Sequence, residues 1–171
     1  MARGRCGLTE TGMRGITLVE NVEIRPARAE ELPRELLLLA DPSPALVESY
    51  IHGGHGLLAE HQGTTVGVAV LLDTRPHTME LVNLAVRESL QGRGIGQALL
   101  HESLAYARVH GARTVEVGTG NSSIGQLALY QKAGFRIVGV ERDFFTRHYP
   151  EPIYENGILC RDMIRLSINW D

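Results

Sequence analysis

Two cysteines occur in 171 residues, Cys6 and Cys160. They are too few for the disulfide framework that staples small secreted domains, and neither has neighbours at metal-ligand spacing. A reducing, cytoplasmic setting and no metal are therefore expected. Charge of one sign is equally lacking: 17 basic against 20 acidic side chains leave a formal charge of −3. That balance provides no basic patch for nucleic acid. No apolar run approaches the roughly 18–20 residues that span a bilayer, so no membrane partner is expected. The opening stretch, MARGRCGLTETGMRGITLVE, shows no apolar periodicity and lacks the apolar core of about 7–15 residues that marks a secretory signal. Residues 1–20 read as a flexible tail, a start upstream of the true one (Met13 offers a second candidate), or an appended remnant. No internal repeat appears, and residues 21–171 fit one domain. A composition of 43% hydrophobic and 22% charged residues is that of a globular protein.

What the chain does have is a change of rhythm halfway along. VEIR (Val22 to Arg25), stopped by Pro26, predicts a first strand. RAEELPRELLLLA predicts a helix start that Pro33 confines or kinks, and PALVESYIHGG a short helix with Pro44 near its first position. Gln62-Gly63 lies between two apolar runs, which predicts a hairpin with strands near Leu57–Glu60 and Val66–Leu72. MELVNLAV (Met79 to Val86) adds a third strand. From there the pattern becomes strand, loop, helix, strand. Ile95, Leu99, Leu100, Leu104 and Ala107 recur at helical spacing until Gly111, and RTVEVGTG predicts a strand. SSIGQLALYQKAG predicts a helix with a serine N-cap and Gly134 at its stop. FRIVGVE and ILCRDMIRLSI predict two last strands, joined by the aromatic connection RDFFTRHYPEPIYENG. The expected class is α/β, a mixed and mainly antiparallel sheet with one βαβ crossover.

Gln91, Gly92, Arg93, Gly94, Ile95 and Gly96 form the loop before the long helix. It is no dinucleotide fingerprint, because a third glycine would have to fall at Gln97, and the G-x-x-x-x-G-K-[ST] phosphate loop is absent. Its glycines nevertheless free backbone N–H groups to face outward. The helix that follows contributes unpaired donors and the positive end of its dipole, and Arg93 adds a charge. A pyrophosphate would suit it; so would no ligand at all, the loop then being a tight turn.

The wider context separates these readings. LAV, four residues, then Q-G-R-G-I-G-x-A-L-L resembles motif A of the Gcn5-related N-acetyltransferase (GNAT) superfamily, and LALYQKAGF (Leu127 to Phe135) resembles motif B. The resemblance covers residues 22 to about 168. It implies a single-domain GNAT fold: a seven-stranded sheet flanked by about four helices and splayed between its fourth and fifth strands, with a bulge opening the gap. It further implies acetyl-CoA as donor, the pyrophosphate on Gln91–Gly96, and the pantetheine arm paired with the backbone of Leu84, Ala85 and Val86. The thioester carbonyl would lie near Val86, where a backbone N–H stabilises developing charge, an effect worth about 3 kcal/mol.

Acetyl transfer to an amine needs a proton removed from a nitrogen of pKa near 10 and a proton supplied to the departing sulfur. Tyr130, at the tyrosine position of motif B, is implied as the acid. Two carboxylates compete as base. Glu80 lies eleven residues before Gln91, as in the histone-acetylating branch, and Glu116 five before Asn121, as in the enzymes that acetylate ribosomal-protein N-termini. An ordered water chain is the alternative. Motif B commonly has Asn seven residues before its Tyr. Here that position is Ser123, with Asn121 nine before, so the coenzyme contact falls on one of these two. His52 and His55 of HGGHG have no metal-binding company. His52 and Tyr50 are expected to border the acceptor cleft, with Phe144, Phe145, His148 and Tyr149 as its other wall or merely as the packing of their loop. The expected function is acetyl transfer to a primary amine by direct attack in a ternary complex. A catalytically silent acyl-CoA sensor and a nucleotide-binding module are the rivals. Relatives often pair through their last strands, and the alternation Ile158, Cys160, Ile164, Leu166, Ile168 is compatible with a homodimer.

Overall fold

A strand that is apolar on both faces needs cover on both, and this chain provides it with helices on either side of one sheet. In the computed structural model, which describes residues 21–171, the strands are β1 (Val22–Ala27), β2 (His55–His61), β3 (Thr64–Arg75), β4 (Thr78–Val86), β5 (Thr114–Gly120), β6 (Arg136–Glu141), β7 (Ile153–Glu155), β8 (Ile158–Cys160) and β9 (Met163–Asn169). The helices are α1 (Arg34–Ala40), α2 (Pro44–Ile51), α3 (Ile95–Val109), α4 (Ile124–Lys132) and α5 (Phe144–His148). Seven strands form one sheet in the order β1-β2-β3-β4-β5-β9-β6, and β7 pairs only with β8. Every neighbouring pair is antiparallel except β4 and β5. This is the expected mixed α/β sheet. The expected tail, with Cys6 and Met13, lies outside the described residues.

The core divides by face. Leu57, Leu71, Leu81 and Val115 meet Leu99 and Leu100 of α3, while Leu58, Val68 and Val70 meet Leu36, Leu37 and Ile51 of α1 and α2. At Gly67 α3 presses close on the sheet: a Cβ there would stand 2.7 Å from the Leu99 side chain. Gln62 and Gly63 both take positive φ, 50° and 75°, the conformation of a two-residue I′ hairpin turn.

Several local expectations need correction. Pro26 does not stop β1, which runs to Ala27; β1 is an edge strand, where a missing N–H is tolerated. Pro33 neither kinks nor lies within a helix. It separates a 3₁₀ turn, Ala29–Glu31, from α1 and stands at the N-cap of the latter. The aromatic connection, expected only as a joining segment, contains α5, the fifth helix among the described residues. ILCRDMIRLSI is two strands, not one. Asn121 Oδ1 accepts the N–H groups of Arg161 and Asp162, at 2.8 and 2.9 Å, and so takes both residues out of the ladder. Ile158 and Cys160 therefore belong to the β7–β8 hairpin, and the five-residue alternation is not one sheet face.

Candidate active site

β4 and β5 pair only from Thr78–Thr114 to Leu81–Val117. Beyond Leu81 the two strands part. β4 carries one extra residue at that point, since Val70 opposes Asn83 while Leu71 opposes Leu81, leaving Val82 as a bulge. A bulge adds twist and turns its strand away from a neighbour, and this one sits where the splay begins. From Asn83 to Val86 β4 stays paired with β3 while its other edge has no strand among the described residues.

That open edge leads to the glycine loop. Gly92 and Gly94 have φ of 74° and 84°, and Gly94 is the N-cap of α3. The first backbone bond into the helix runs from the Ala98 N–H to the Gly94 carbonyl, 3.0 Å. The N–H groups of Ile95, Gly96 and Gln97 are thus left free, as at any helix start. The Gln91 side-chain amide donates to the Val86 carbonyl at 3.0 Å and ties the loop to the end of β4. A cleft of about 510 Å³ runs over this region, bounded by Leu84, Ala85 and Val86 on one side and Gln91, Gly92 and Gly96 along its floor. Gly94 lines it as well, whereas Ile95 is buried in the core, 3% exposed, and Arg93 is exposed outside it.

A second cleft, about 300 Å³, occupies the splay itself. Leu39, Ala40, Leu84 and Gln126 line both clefts, so the two adjoin. Tyr130 lines the second. It is 5% exposed, packs against Phe135 at 5.7 Å between ring centroids, and its hydroxyl has no hydrogen-bond partner among the described residues. Burial pushes that hydroxyl up to about 12. Ser123 lines the same cleft and donates its hydroxyl to Glu155 Oε2 at 2.5 Å.

Asn121 lines neither cleft. Besides accepting from Arg161 and Asp162, it donates to the Leu159 carbonyl at 3.1 Å, so its amide is committed to the β8–β9 corner. Glu80 and Glu116 also line neither. They oppose each other in the paired part of β4 and β5, on the face away from Met79, Leu81, Val115 and Val117, which pack toward α3. Arg165 donates to Glu80 at 3.2 Å and to Glu141 at 3.0 Å, while Arg75 donates to Glu116 at 2.5 Å. Desolvation holds the Glu80 carboxyl above the ordinary range, the Glu116 charge adds to this, and Arg165 opposes it.

Of the aromatic wall, Phe145 and Tyr149 line the second cleft. Phe144 instead lies between His148, at 4.5 Å, and the Arg165 guanidinium, at 5.9 Å. His52 is exposed beside Glu48, and His55 bonds Asp73 and Tyr106. Tyr50 is buried. Asn83 donates both to its hydroxyl and to the Leu37 carbonyl, each at 2.9 Å, which fastens α1 and α2 to β4. Sequence reasoning passed over two carboxylates of the second cleft, Asp41 and Glu155. The Asn156-Gly157 hairpin signal next to Glu155 was there to be seen; its φ angles are 52° and 72°.

A parallel pair that splays at a bulge, with a free strand edge leading to a row of free backbone N–H groups, is an arrangement suited to an extended anionic cosubstrate. Residues 22–135 match the Acetyltransferase (GNAT) family. The chain belongs to that family, and it is an acetyltransferase. An uncharacterized N-acetyltransferase of Bacillus subtilis, YvbK, is 54% identical over 135 residues, which span 79% of this chain and 87% of that protein. Among solved structures, an IAA acetyltransferase from Bacillus cereus is 52% identical with a TM-score of 0.85, covering 87% of this chain and 99% of its own. A GNAT family acetyltransferase from Elizabethkingia anophelis with acetyl-CoA bound is 44% identical with the same TM-score, covering 88% and 99%. Among the described residues no helix is long and apolar enough to cross a membrane.

Proposed function

We propose that the protein moves the acetyl group of acetyl-CoA to a primary amine by direct attack in a ternary complex. The adjacency of the two clefts at Leu84 and Gln126 carries this reading, because it sets an anion cradle beside a buried tyrosine whose hydroxyl has no partner among the described residues. Acetyl-CoA supplies the acyl group as a thioester. The loop Gln91–Gly96 holds its pyrophosphate through backbone N–H groups, and the open edge of Leu84, Ala85 and Val86 pairs with the pantetheine amides. The reacting carbon then falls at Leu84 rather than at Val86, because Leu84 lines both clefts and Val86 only the first. A backbone N–H of this edge stabilises charge that develops on the carbonyl oxygen.

In the second cleft the amine lone pair forms the new C–N bond as the C–S bond breaks, and Tyr130 gives its proton to the sulfur and recovers one from water. The amine proton leaves through water toward Glu80, with Glu116 beside it, since neither carboxylate reaches the cleft directly. Ser123, rather than Asn121, holds the motif B position against the bound coenzyme.

Parallel calorimetric titration with acetyl-CoA, CoA and ATP tests the reading. Micromolar binding of both coenzyme forms with negligible ATP binding is expected. Comparable ATP binding would make the loop a nucleotide site, and binding without turnover of any amine would make the protein a sensor.

A further inference from the structure

We propose that the acceptor is a small aliphatic diamine or polyamine whose second ammonium is held by Asp41 and Glu155 in the cleft beside Tyr130; this rests on the acetyl-transfer reading above. The cleft is lined by two carboxylates and, among the described residues, by no Lys, Arg or His. Neither carboxylate enters a salt bridge among the described residues. Each is instead anchored through one oxygen. Asp41 Oδ1 accepts the Ser43 N–H at 3.1 Å and the Tyr149 hydroxyl at 3.2 Å. Glu155 Oε2 accepts the hydroxyls of Ser122 and Ser123 at 3.0 and 2.5 Å. The other oxygens, Asp41 Oδ2 and Glu155 Oε1, accept no hydrogen bond among the described residues.

Neutral donors orient a carboxylate without cancelling its charge. Half-buried carboxylates on one cavity are costly to desolvate unless a cation joins them. Tyr130, a buried residue that lines the same cavity and whose hydroxyl has no partner among the described residues, independently marks the space as built for a ligand. Phe145 and Tyr149 offer aromatic surface for methylenes and for an ammonium. An amine that carries its own carboxylate meets like charge here and no cation. A monoamine leaves the two acidic groups uncompensated. A diamine meets the whole wall: one nitrogen, neutral, attacks the acyl carbon, and the other stays protonated between Asp41 and Glu155. The products are the N-acetyl diamine, its second nitrogen still protonated, and the free coenzyme thiol; the proton that the attacking nitrogen loses is matched by the one that the sulfur gains.

The test is steady-state kinetics at saturating acetyl-CoA with putrescine, spermidine, butylamine and γ-aminobutyrate, with acetyl-CoA affinity followed by calorimetry. The expected result is a kcat/KM for putrescine at least tenfold above that for butylamine, with γ-aminobutyrate poorest. In Asp41→Asn and Glu155→Gln the putrescine-to-butylamine ratio should fall toward one, through KM rather than kcat, while the acetyl-CoA Kd stays within twofold. Equal use of butylamine and putrescine would overturn the inference, and so would preference for γ-aminobutyrate. If acetyl-CoA binds and none of the four amines reacts, the acceptor inference fails and the coenzyme assignment stands. If acetyl-CoA does not bind, both fail.

Discussion

Tyr130 is a residue whose surroundings set its chemistry. Enclosed by Phe135 and the cleft wall and pushed up to about 12, its hydroxyl stays protonated through the neutral range. It is therefore ready to donate to a departing sulfur and is not itself a source of pH dependence below about pH 10. Tyr130→Phe keeps the ring and its packing. It should lower kcat by about 10²-fold, at the lower end of what general acids contribute, with the acetyl-CoA Kd unchanged in calorimetry; an unchanged kcat would remove Tyr130 from the chemistry. In the proposed mechanism Glu80 carries the pH dependence instead. A base works when ionised, so kcat/KM should rise as pH climbs through a carboxyl held above its ordinary range by desolvation. Arg165→Met removes the cation that opposes this shift and should move the rising limb to higher pH. Glu80→Gln should abolish it, whereas a limb that survives there and vanishes in Glu116→Gln assigns the base to Glu116. Motif matching could point to both glutamates by spacing but not to their ion pairs. The partners, Arg165 and Arg75, stand 85 and 41 residues away in sequence and meet them only through the sheet.

At the scale of elements, the order strand, helix, helix, hairpin, strand, loop, helix was legible from Val22 to Val109 because it rests on local signals. Alternation, a Gln-Gly turn, proline positions and a run of glycines each act within a few residues. The C-terminal third was less legible for the opposite reason. The break at Arg161–Asp162 is imposed by Asn121, forty residues earlier, and the helix Phe144–His148 is too short to show a period. The loop itself yields an element-scale prediction. With φ of 84° at the N-cap of α3, Gly94 occupies backbone space that costs a residue with a side chain about 1–2 kcal/mol. Gly94→Ala should lower stability by that amount in urea unfolding. It should also weaken acetyl-CoA by tenfold or more, because relaxing φ turns the free N–H groups away from one another. Lost stability with undiminished coenzyme affinity would show that the loop is a turn and nothing more.

Taken whole, the molecule is two half-sheets joined by a short seam. β1 to β4 form one and β5, β9 and β6 the other, and among the described residues the backbone bonds that join them run from His77–Leu81 to Arg113–Val117. Beyond the seam, β4 has an edge without a strand and β5 diverges toward Gly120, so the amides of both strands are expected to open readily. A cosubstrate that pairs with Leu84 to Val86 and rests its phosphates on Gln91–Gly96 closes that edge as an added strand would. Its effect should therefore reach past the loop. Hydrogen exchange followed with and without acetyl-CoA should show protection of the peptides covering Val82–Val86 and Gly118–Gly120 together with the loop, and little change in β1 or β2. Binding to the folded state alone also raises stability by about 2.7 kcal/mol at a ligand concentration of 100 times Kd, which a thermal scan reads as a concentration-dependent rise in Tm. Protection confined to the loop would mean that the phosphates are held and the arm is not. The reacting carbon would then have no reason to sit at Leu84, and the two clefts, though adjoining in space, would not be one site.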